Sequence, residues 1–133
     1  MKHNLSKSKE DYLEAVLINI QTKGACRMTD IANYLGYSRA SVSTALKKLE
    51  DEQYVYRDDW RILLTEQGMK IAEEMLIKHT LFRNWFLSLG VEEEVANEEA
   101  CQIEHALSDE TFIKISEYFY EKDPDLLAHA YKS

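Results

Sequence analysis

Residues 28–49 read MTDIANYLGYSRASVSTALKKL, and this segment sets the architecture of the chain around it. Apolar residues recur at helical spacing on both sides of Gly36, which predicts a short helix over residues 28–35 and a second helix from Ser38 to about Gln53. Gly36 stands where the turn between the helices needs a positive φ, and Ala32 is small where the helices cross. The pattern is typical of a helix-turn-helix.

One face of the second helix is small, polar and basic, as a helix that enters the major groove of DNA should be. The residues that we predict to contact DNA from this helix and its start are Ser38, Arg39, Ala40, Ser41, Ser43, Thr44, Lys47 and Lys48. The opposite face is apolar and is expected to fill the angle between the two helices.

Two β-prone segments follow, Tyr54-Val55-Tyr56 and Arg61-Ile62-Leu63-Leu64. They predict a two-stranded hairpin, or wing, whose Arg57 and Arg61 contact DNA phosphates. Helix-turn-helix and hairpin together make a winged helix. The alternative is a helical hairpin packed on a ribbon, with no part in DNA binding.

Helical periodicity continues on both sides of this motif. The predicted helices outside it run from Ser6 or Ser8 to about Gln21, from Glu66 to about Leu89 with Thr65 as its cap, from Val91 to Leu107, from Asp109 to about Tyr120, and over Asp125 to Tyr131 after an interruption at Pro124. The fold class is therefore mainly α. An N-terminal winged helix-turn-helix domain with a two-stranded wing (residues 1–70) is joined by a long helix to an all-α dimerisation domain (residues 71–133). Apolar faces within residues 82–120 exceed what one chain can bury, which predicts a homodimer.

Composition indicates a globular protein of the cytoplasm. The 133 residues carry a net charge of −8, of which residues 1–64 contribute +1 and residues 65–133 contribute −9. No apolar run approaches the ~20 residues that span a membrane, and the N-terminus lacks the apolar core of a signal peptide. In a reducing compartment Cys26 and Cys101 are not expected to form a disulfide, and we expect Cys26 to be a packing residue.

A second informative segment is EEACQIEH at residues 98–105. In a helix, Cys101, Glu104 and His105 lie on one face at spacings i, i+3 and i+4. Their sulfur, oxygen and nitrogen atoms suit a divalent transition metal, and three ligands leave a site that other parts of the chain must complete. The alternative is that Cys101 is a small buried residue and that Glu104 and His105 are solvated.

Three further residues are candidates to complete such a site. Asp11 and Glu14 share one edge of the first helix at spacing i, i+3, although on their own a solvated edge near Lys7 and Lys9 is the simpler explanation. His79 lies on the long helix, where a single histidine is usually structural or exposed and less often a ligand.

These segments together resemble the DtxR/MntR family of metal-dependent transcriptional repressors over nearly the full length of the chain. The resemblance rests on the winged helix and on the sequences EDYLE at 10–14, KH at 78–79, EACQIEH at 99–105 and LSDE at 107–110. It implies a dimeric repressor, not an enzyme, that binds palindromic operator DNA when loaded with Fe²⁺ or Mn²⁺ and takes no small-molecule substrate. The chain ends before the SH3-like third domain of longer members, so it resembles a short form.

The same resemblance implies a ligand set. Matched by position, the effector metal site consists of Asp11, Cys101, Glu104 and His105, while Glu14 and His79 match positions that also serve metal in manganese-type members. Glu is usual in the manganese type at the position of Cys101, where it bridges two metals, so the resemblance leaves open whether one or two ions bind each subunit. Arg83 and Asn97 stand where the ancillary site of the iron type has Glu and His.

The candidate ligands differ in which metals they prefer. A thiolate favours Fe²⁺, Co²⁺, Ni²⁺ or Zn²⁺, and carboxylates accept Mn²⁺. The resemblance implies Mn²⁺ or Fe²⁺ as effector, and the donor chemistry allows Co²⁺, Ni²⁺ or Zn²⁺ to bind in vitro. Two other functions remain open on sequence grounds: a winged-helix repressor that responds to a small organic ligand, and a metalloenzyme with a Cys/Glu/His centre.

Overall fold

The structure, a computed structural model, describes residues 5–132, and its elements are seven helices and one two-stranded antiparallel sheet. In chain order they are α1 (Lys7–Lys23), α2 (Met28–Leu35), α3 (Arg39–Asp51), β1 (Val55–Asp58), β2 (Arg61–Leu64), α4 (Glu66–Ser88), α5 (Glu93–Ala106), α6 (Asp109–Lys122) and α7 (Pro124–Lys132). The predicted fold class, mainly α with a winged helix-turn-helix, is confirmed. The chain divides into two compact units, an N-terminal one over Leu5–Glu73 and a C-terminal one that begins at Glu74.

Helix α1 is buried along most of its length. Ser6 caps it by accepting a hydrogen bond from the backbone N–H of Lys9 at 3.3 Å, and Gly24 ends it at φ 84°. All residues from 10 to 17 are buried, acidic ones included. The exposed fractions of Asp11 and Glu14 are 8% and 6%, so the alternative of a solvated acidic edge is wrong.

The helix-turn-helix forms as its turn and capping residues predict. Gly36 ends α2 at φ 72°, and its N–H donates to the carbonyl of Ala32 at 2.9 Å. Ser38 then caps α3 by accepting from the N–H of Ser41 at 3.1 Å. Helix α2 begins without a serine or threonine cap. The N-cap is Arg27, whose backbone N–H donates to the Asp30 carboxylate at 2.9 Å.

The wing is a hairpin with a two-residue turn. Its register pairs Val55 with Leu64 and Asp58 with Arg61, so β1 extends two residues beyond the predicted segment. Asp59 adopts φ 60° in the turn, a conformation that aspartate tolerates better than most residues. The N–H of Ile62 donates to the carbonyl of Cys26 at 2.9 Å, which attaches the wing to the segment before α2.

Helix α4 begins in close contact with the backbone that precedes the wing. Thr65 caps it, as predicted, by accepting from the N–H of Gly68 at 3.1 Å, and the Thr65 hydroxyl donates to the carbonyl of Gln53 at 2.7 Å. A Cβ atom at position 68 would overlap the carbonyl oxygen of Tyr54. Only glycine fits at this point of the helix.

The C-terminal unit has an aromatic core. Leu81, Phe119 and Ala130 are buried at its centre, and the partly buried residues packed around them are Ile77, Trp85, Phe112, Ile115, Leu126 and Leu127. The sequence suggested that Pro124 interrupts regular structure. It is instead the first residue of α7. Proline is compatible with a first helical position, because the N–H that it lacks would have no partner within the helix.

Several large apolar side chains of the C-terminal unit remain exposed. They are Leu89, Val95, Ile113, Tyr118, Tyr120 and Tyr131. Val95 is 40% exposed, whereas Ala96 and Ala100 on the same helix are fully buried. Among residues 5–132, no helix combines the length and the apolar character needed to cross a bilayer.

Candidate metal centre and DNA interface

The spacing of small residues on α5 places Glu104 in the protein interior. Ala96, Ala100 and Glu104 follow at intervals of four residues, and each is 0% exposed. The two alanine side chains are small, so this face of α5 packs closely, and Glu104, the next residue on the same face, is buried with them. Cys101 is half-buried and His105 is buried on the adjoining side of the helix.

Cys101, Glu104 and His105 form a compact donor cluster within the C-terminal unit. Each offers one ligand atom, and these atoms lie within 4.8 Å of one another. His105 Nε2 is 3.4 Å from Glu104 Oε1. Metal–ligand bonds of about 2.0–2.3 Å separate two ligands of one ion by at most about 4–4.6 Å, so shifts of a few tenths of an ångström would close the cluster on an ion. The donor set therefore fits a divalent transition metal, and the alternative that Glu104 and His105 are solvated is wrong.

His79 approaches the same carboxylate from α4. Its Nδ1 atom lies 3.4 Å from Glu104 Oε2, whereas His105 faces the other oxygen. The fully buried carboxylate of Glu104 is thus placed between two imidazoles, with one oxygen directed to each.

Asp11 and Glu14 lie on α1, in the N-terminal unit. Both carboxylates are buried. The ammonium group of Lys7 donates to Asp11 Oδ2 at 2.9 Å across one turn of the helix. The structure thus places two buried carboxylates one turn apart on the edge that the sequence had indicated.

The two cysteines have different surroundings. Cys26 is 0% exposed, and burial, followed in importance by the charge of Asp30, raises the pKa of its thiol to about 12. Such a thiol does not ionise near neutral pH, which fits the predicted packing role. Cys101 is a free thiol next to a carboxylate and an imidazole.

The position where the iron type has an ancillary ligand is used differently here. Arg83 Nη2 lies 3.1 Å from Glu93 Oε1, and its Nη1 donates to Asn84 at 3.2 Å. A guanidinium in an ion pair cannot act as a metal ligand.

All eight residues predicted to contact DNA from α3 and its start are exposed. Four of them, Ala40, Ser41, Thr44 and Lys48, border an open groove of about 510 Å³ beside the N-terminus of α1. Sequence reasoning missed the other polar residues of this groove, which are Ser6, Ser8, Lys9 and Tyr12. They belong to α1 and its cap, so no pattern within α3 could have revealed them.

The wing arginines are engaged in ion pairs within the chain. Arg57 Nε lies 2.7 Å from Glu50 Oε1, at the end of α3, and Arg61 pairs with Asp58 across the hairpin. Arg27, absent from the predicted interface, stacks over the ring of Trp60 at 4.3 Å from its centroid. Contact with phosphate would require Arg57 and Arg61 to exchange these partners.

Two family profiles together cover almost the whole chain. The profile described as the N-terminal DNA-binding domain of iron-dependent repressors matches residues 4–59, and that of their metal-binding and dimerisation domain matches residues 65–125. The first match contains the helix-turn-helix, and the second contains Cys101, Glu104 and His105.

Full-length relatives agree with the profiles. The HTH-type transcriptional regulator MntR of Bacillus subtilis (strain 168) is 33% identical over 120 residues, which cover 87% of this chain and 84% of that protein. The regulator of the same name from Bacillus pumilus (strain SAFR-032) is 32% identical over 120 residues, with coverages of 87% and 83%.

Solved structures show the same fold. The manganese regulator SloR superposes with a TM-score of 0.73 at 28% identity, over 90% of this chain and 55% of that one. IdeR from T. acidophilum superposes with a TM-score of 0.71 at 27% identity, over 89% of this chain and 55% of that one. This chain therefore spans about half the length of both regulators.

These similarities favour a metal effector and give no support to the organic-ligand alternative. They also assign DNA binding to the N-terminal part of the chain, and metal binding and dimerisation to the C-terminal part. The chain belongs to the DtxR/MntR family and is a metal-responsive, DNA-binding transcriptional repressor.

Proposed function

We propose that this repressor binds palindromic operator DNA as a homodimer when it is loaded with Mn²⁺ or Fe²⁺, and that it controls genes of metal homeostasis in the cytoplasm. The observation that carries the proposal is the cluster of Cys101, Glu104 and His105, whose donor atoms lie within 4.8 Å of one another. We assign no catalytic step to this cluster.

The proposed effector site takes Cys101, Glu104 and His105 from α5. Asp11 on α1 completes it, with Glu14 and His79 as further ligands. Burial of both α1 carboxylates is compatible with this assignment, because a ligand of an enclosed metal ion lies away from water, and Asp11 already accepts from a cation, the Lys7 ammonium, whose place a metal ion can take. The position of His79 beside Glu104 supports its inclusion.

The donor set limits the effector to divalent transition metals but does not select one of them. Carboxylates and imidazoles accept Mn²⁺, Fe²⁺ and the later divalent ions, whereas the thiolate of Cys101 strengthens binding of the softer ones. Intrinsic affinity alone would favour Zn²⁺ over Fe²⁺ and Mn²⁺, so the availability of each metal in the cell decides which one acts.

Glu104 gives the centre room for a second ion. Its two oxygens face different imidazoles, His79 and His105, each at 3.4 Å. A carboxylate in this arrangement can bridge two metals even though residue 101 is a cysteine. Metal stoichiometry tests this point: the native chain should bind two ions per subunit and His79→Ala one, and a native chain that binds one ion would rule out the second site.

The DNA-binding residues are the exposed set on α3 and the wing arginines. Residues Ser38, Arg39, Ala40, Ser41, Ser43, Thr44, Lys47 and Lys48 are the proposed contacts of the recognition helix, and Arg57 and Arg61 are those of the wing. Exposure of the whole set supports the assignment. Exposed apolar residues of the C-terminal unit, among them Ile113 and Tyr120, are the proposed dimer surface.

Metal binding would act by fixing the positions of the two recognition helices in the dimer. A bound metal supplies positive charge that draws ligands from α1, α4 and α5 to a common point. Operator half-sites lie about one duplex turn apart, ~34 Å, so two recognition helices must hold this separation. Ordering them in advance lowers the cost of binding DNA by a coupling free energy of typically ~1–3 kcal/mol, and the coupling is reciprocal, so that operator DNA tightens metal binding.

The test is fluorescence anisotropy of labelled operator DNA in chelated buffer, with Mn²⁺, anaerobic Fe²⁺, Co²⁺ and Zn²⁺ titrated in parallel. Cys101→Ala and Glu104→Ala should abolish the metal-dependent shift and leave the dimer intact. If either variant still requires metal for operator binding, the ligand assignment is wrong. If no metal changes operator binding by the native chain, the proposed effector is wrong.

A further inference from the structure

The contacts between α4 and α6 in the C-terminal unit include two aromatic pairs and one charged pair that lie in a row. Two pairs are aromatic and meet edge to face: Phe82 with Phe112 at 6.2 Å between centroids, and Trp85 with Phe119 at 5.2 Å. The third pair is Lys78 and Asp109, with Nζ 3.9 Å from Oδ1. Lys78, Phe82 and Trp85 follow one another at i, i+4 and i+7, so the three pairs form a single row along the two helices.

The charged pair replaces what could have been a third apolar contact. Lys78 is 3% exposed, and its ammonium also lies 5.5 Å from the centroid of the Phe112 ring. The Asp109 side chain is 27% exposed, so only the lysine member of the pair is buried. Such a pair contributes little net stability, because desolvation of the lysine offsets the attraction between the charges. The best-attested effect of buried polar groups is that they specify one register between helices, whereas apolar surfaces tolerate sliding.

This charged pair lies at the end of the row that is next to the metal ligands. Lys78 directly precedes His79 on α4, and Asp109 follows His105 after a short turn. Successive residues of a helix point about 100° apart, so Lys78 reaches α6 while His79 reaches Glu104 on α5. The distance from His79 Nδ1 to Glu104 Oε2 is 3.4 Å in this register. A slide of α4 by a fraction of a turn would separate these two atoms.

We propose that Lys78 and Asp109 are positioning residues of the metal centre. They fix the register of α4 against α5 and α6, and thereby hold His79 beside Glu104 at a separation that one ion can span. The inference rests on the proposed ligand role of His79 and Glu104. It adds two residues that touch no metal but set the affinity for it.

The test compares Lys78→Met with Lys114→Met, a matched change of an exposed lysine on α6. Competition with a fluorescent chelator measures the affinity for Mn²⁺ and Co²⁺, and thermal unfolding of the metal-free protein measures stability. Lys78→Met should bind metal about tenfold more weakly, the lower end of the range typical for supporting residues of metal sites. Its unfolding temperature should be unchanged or higher, because methionine avoids the cost of burying a charge. Lys78→Arg should recover part of the affinity, and Lys114→Met should change neither quantity.

A second set of variants separates positioning from general damage. If Lys78 acts through His79, adding Lys78→Met to His79→Ala should weaken metal binding no further, whereas two independent effects would add. The variant Lys78→Met/Asp109→Leu makes the contact fully apolar and keeps the fold if the single variant unfolds. Native affinity in either folded variant would overturn the positioning role. A native chain that binds neither ion would instead overturn the proposed metal site.

Discussion

The ammonium nitrogen of Lys7 lies 2.9 Å from a carboxylate oxygen of Asp11, one turn further along α1. A metal ion that recruits Asp11 must compete with this ammonium. The lysine side chain is 53% exposed, so the pair contributes at most about 1 kcal/mol. Lys7→Met should therefore strengthen metal binding by up to about fivefold. Competition titration measures the change, with Lys23→Met as control because Lys23 pairs with Asp30 instead. Unchanged or weaker binding would show that Lys7 does not compete for the Asp11 carboxylate.

The thiol of Cys101 should determine the selectivity among metals. Cys101→Glu replaces a soft sulfur with a hard oxygen, so affinity for Mn²⁺ should rise relative to Co²⁺ and Zn²⁺. The thiolate-to-cobalt charge-transfer absorption should disappear in the same variant. Parallel titrations with the three ions measure the ratio, and Cys101→Ser controls for loss of the thiolate without gain of a carboxylate. An unchanged affinity ratio would remove Cys101 from the coordination sphere.

The ion pair between Glu50 and Arg57 should restrain the wing. Glu50→Gln removes the carboxylate 2.7 Å from the guanidinium and frees Arg57 for a phosphate. One added phosphate contact steepens the dependence of log K on log salt by about 0.9. Operator and random DNA should both bind more tightly at low salt, because a phosphate contact carries no sequence information. Glu73→Gln changes an exposed glutamate of the same unit and serves as control. A slope equal to that of the native chain would mean that Arg57 stays away from DNA.

The carboxylate at the start of α2 should contribute stability that depends on pH. The backbone N–H of Arg27, assisted by the Lys23 ammonium 3.1 Å away, lowers the pKa of Asp30 from its ordinary value. A lowered folded-state pKa gives stability that is present above the unfolded-state pKa and is lost as the pH falls through the folded one. Asp30→Asn should therefore unfold at lower urea than the native chain at pH 7, and the two midpoints should converge in acid. Asp51→Asn, a change at the exposed end of α3, should show no such convergence.

The two thiols should react at very different rates in the folded protein. Cys26 is fully buried and the pKa of its thiol is raised to about 12, whereas Cys101 is partly accessible. A thiol reagent at pH 8 should modify Cys101 alone, and saturating Mn²⁺ should slow that reaction if the sulfur is a ligand. Mass spectrometry of digested protein locates the label. Equal labelling of both cysteines before unfolding would contradict the burial of Cys26.

Turn residues, capping residues and the periodicity of apolar residues were sufficient to predict the winged helix. Gly36, Ser38 and Thr65 each act locally, through a positive φ or a side-chain cap, so they are readable from short stretches of sequence. The same holds for the face of α5 that carries Cys101, Glu104 and His105, because helical spacing alone groups them.

Burial and pairing over longer distances were not predictable. Nothing in the spacing of Asp11 and Glu14 shows that α1 is buried on its acidic edge as well as on its apolar one. The partners of Arg57 and Lys78 lie 7 and 31 residues away, so their ion pairs exist only once helices and hairpin are assembled. Pro124 was misjudged because proline starts a helix as readily as it ends one.

The contact of Gly68 with the Tyr54 carbonyl limits which positions of this sequence can change during evolution. Substitutions on the wing surface change how the protein meets DNA, but any side chain at position 68 displaces the first turn of α4 from the hairpin that precedes it. A library randomised at this codon and selected for repression should therefore return glycine alone. Neighbouring exposed codons, such as those of Glu66 and Gln67, should drift freely.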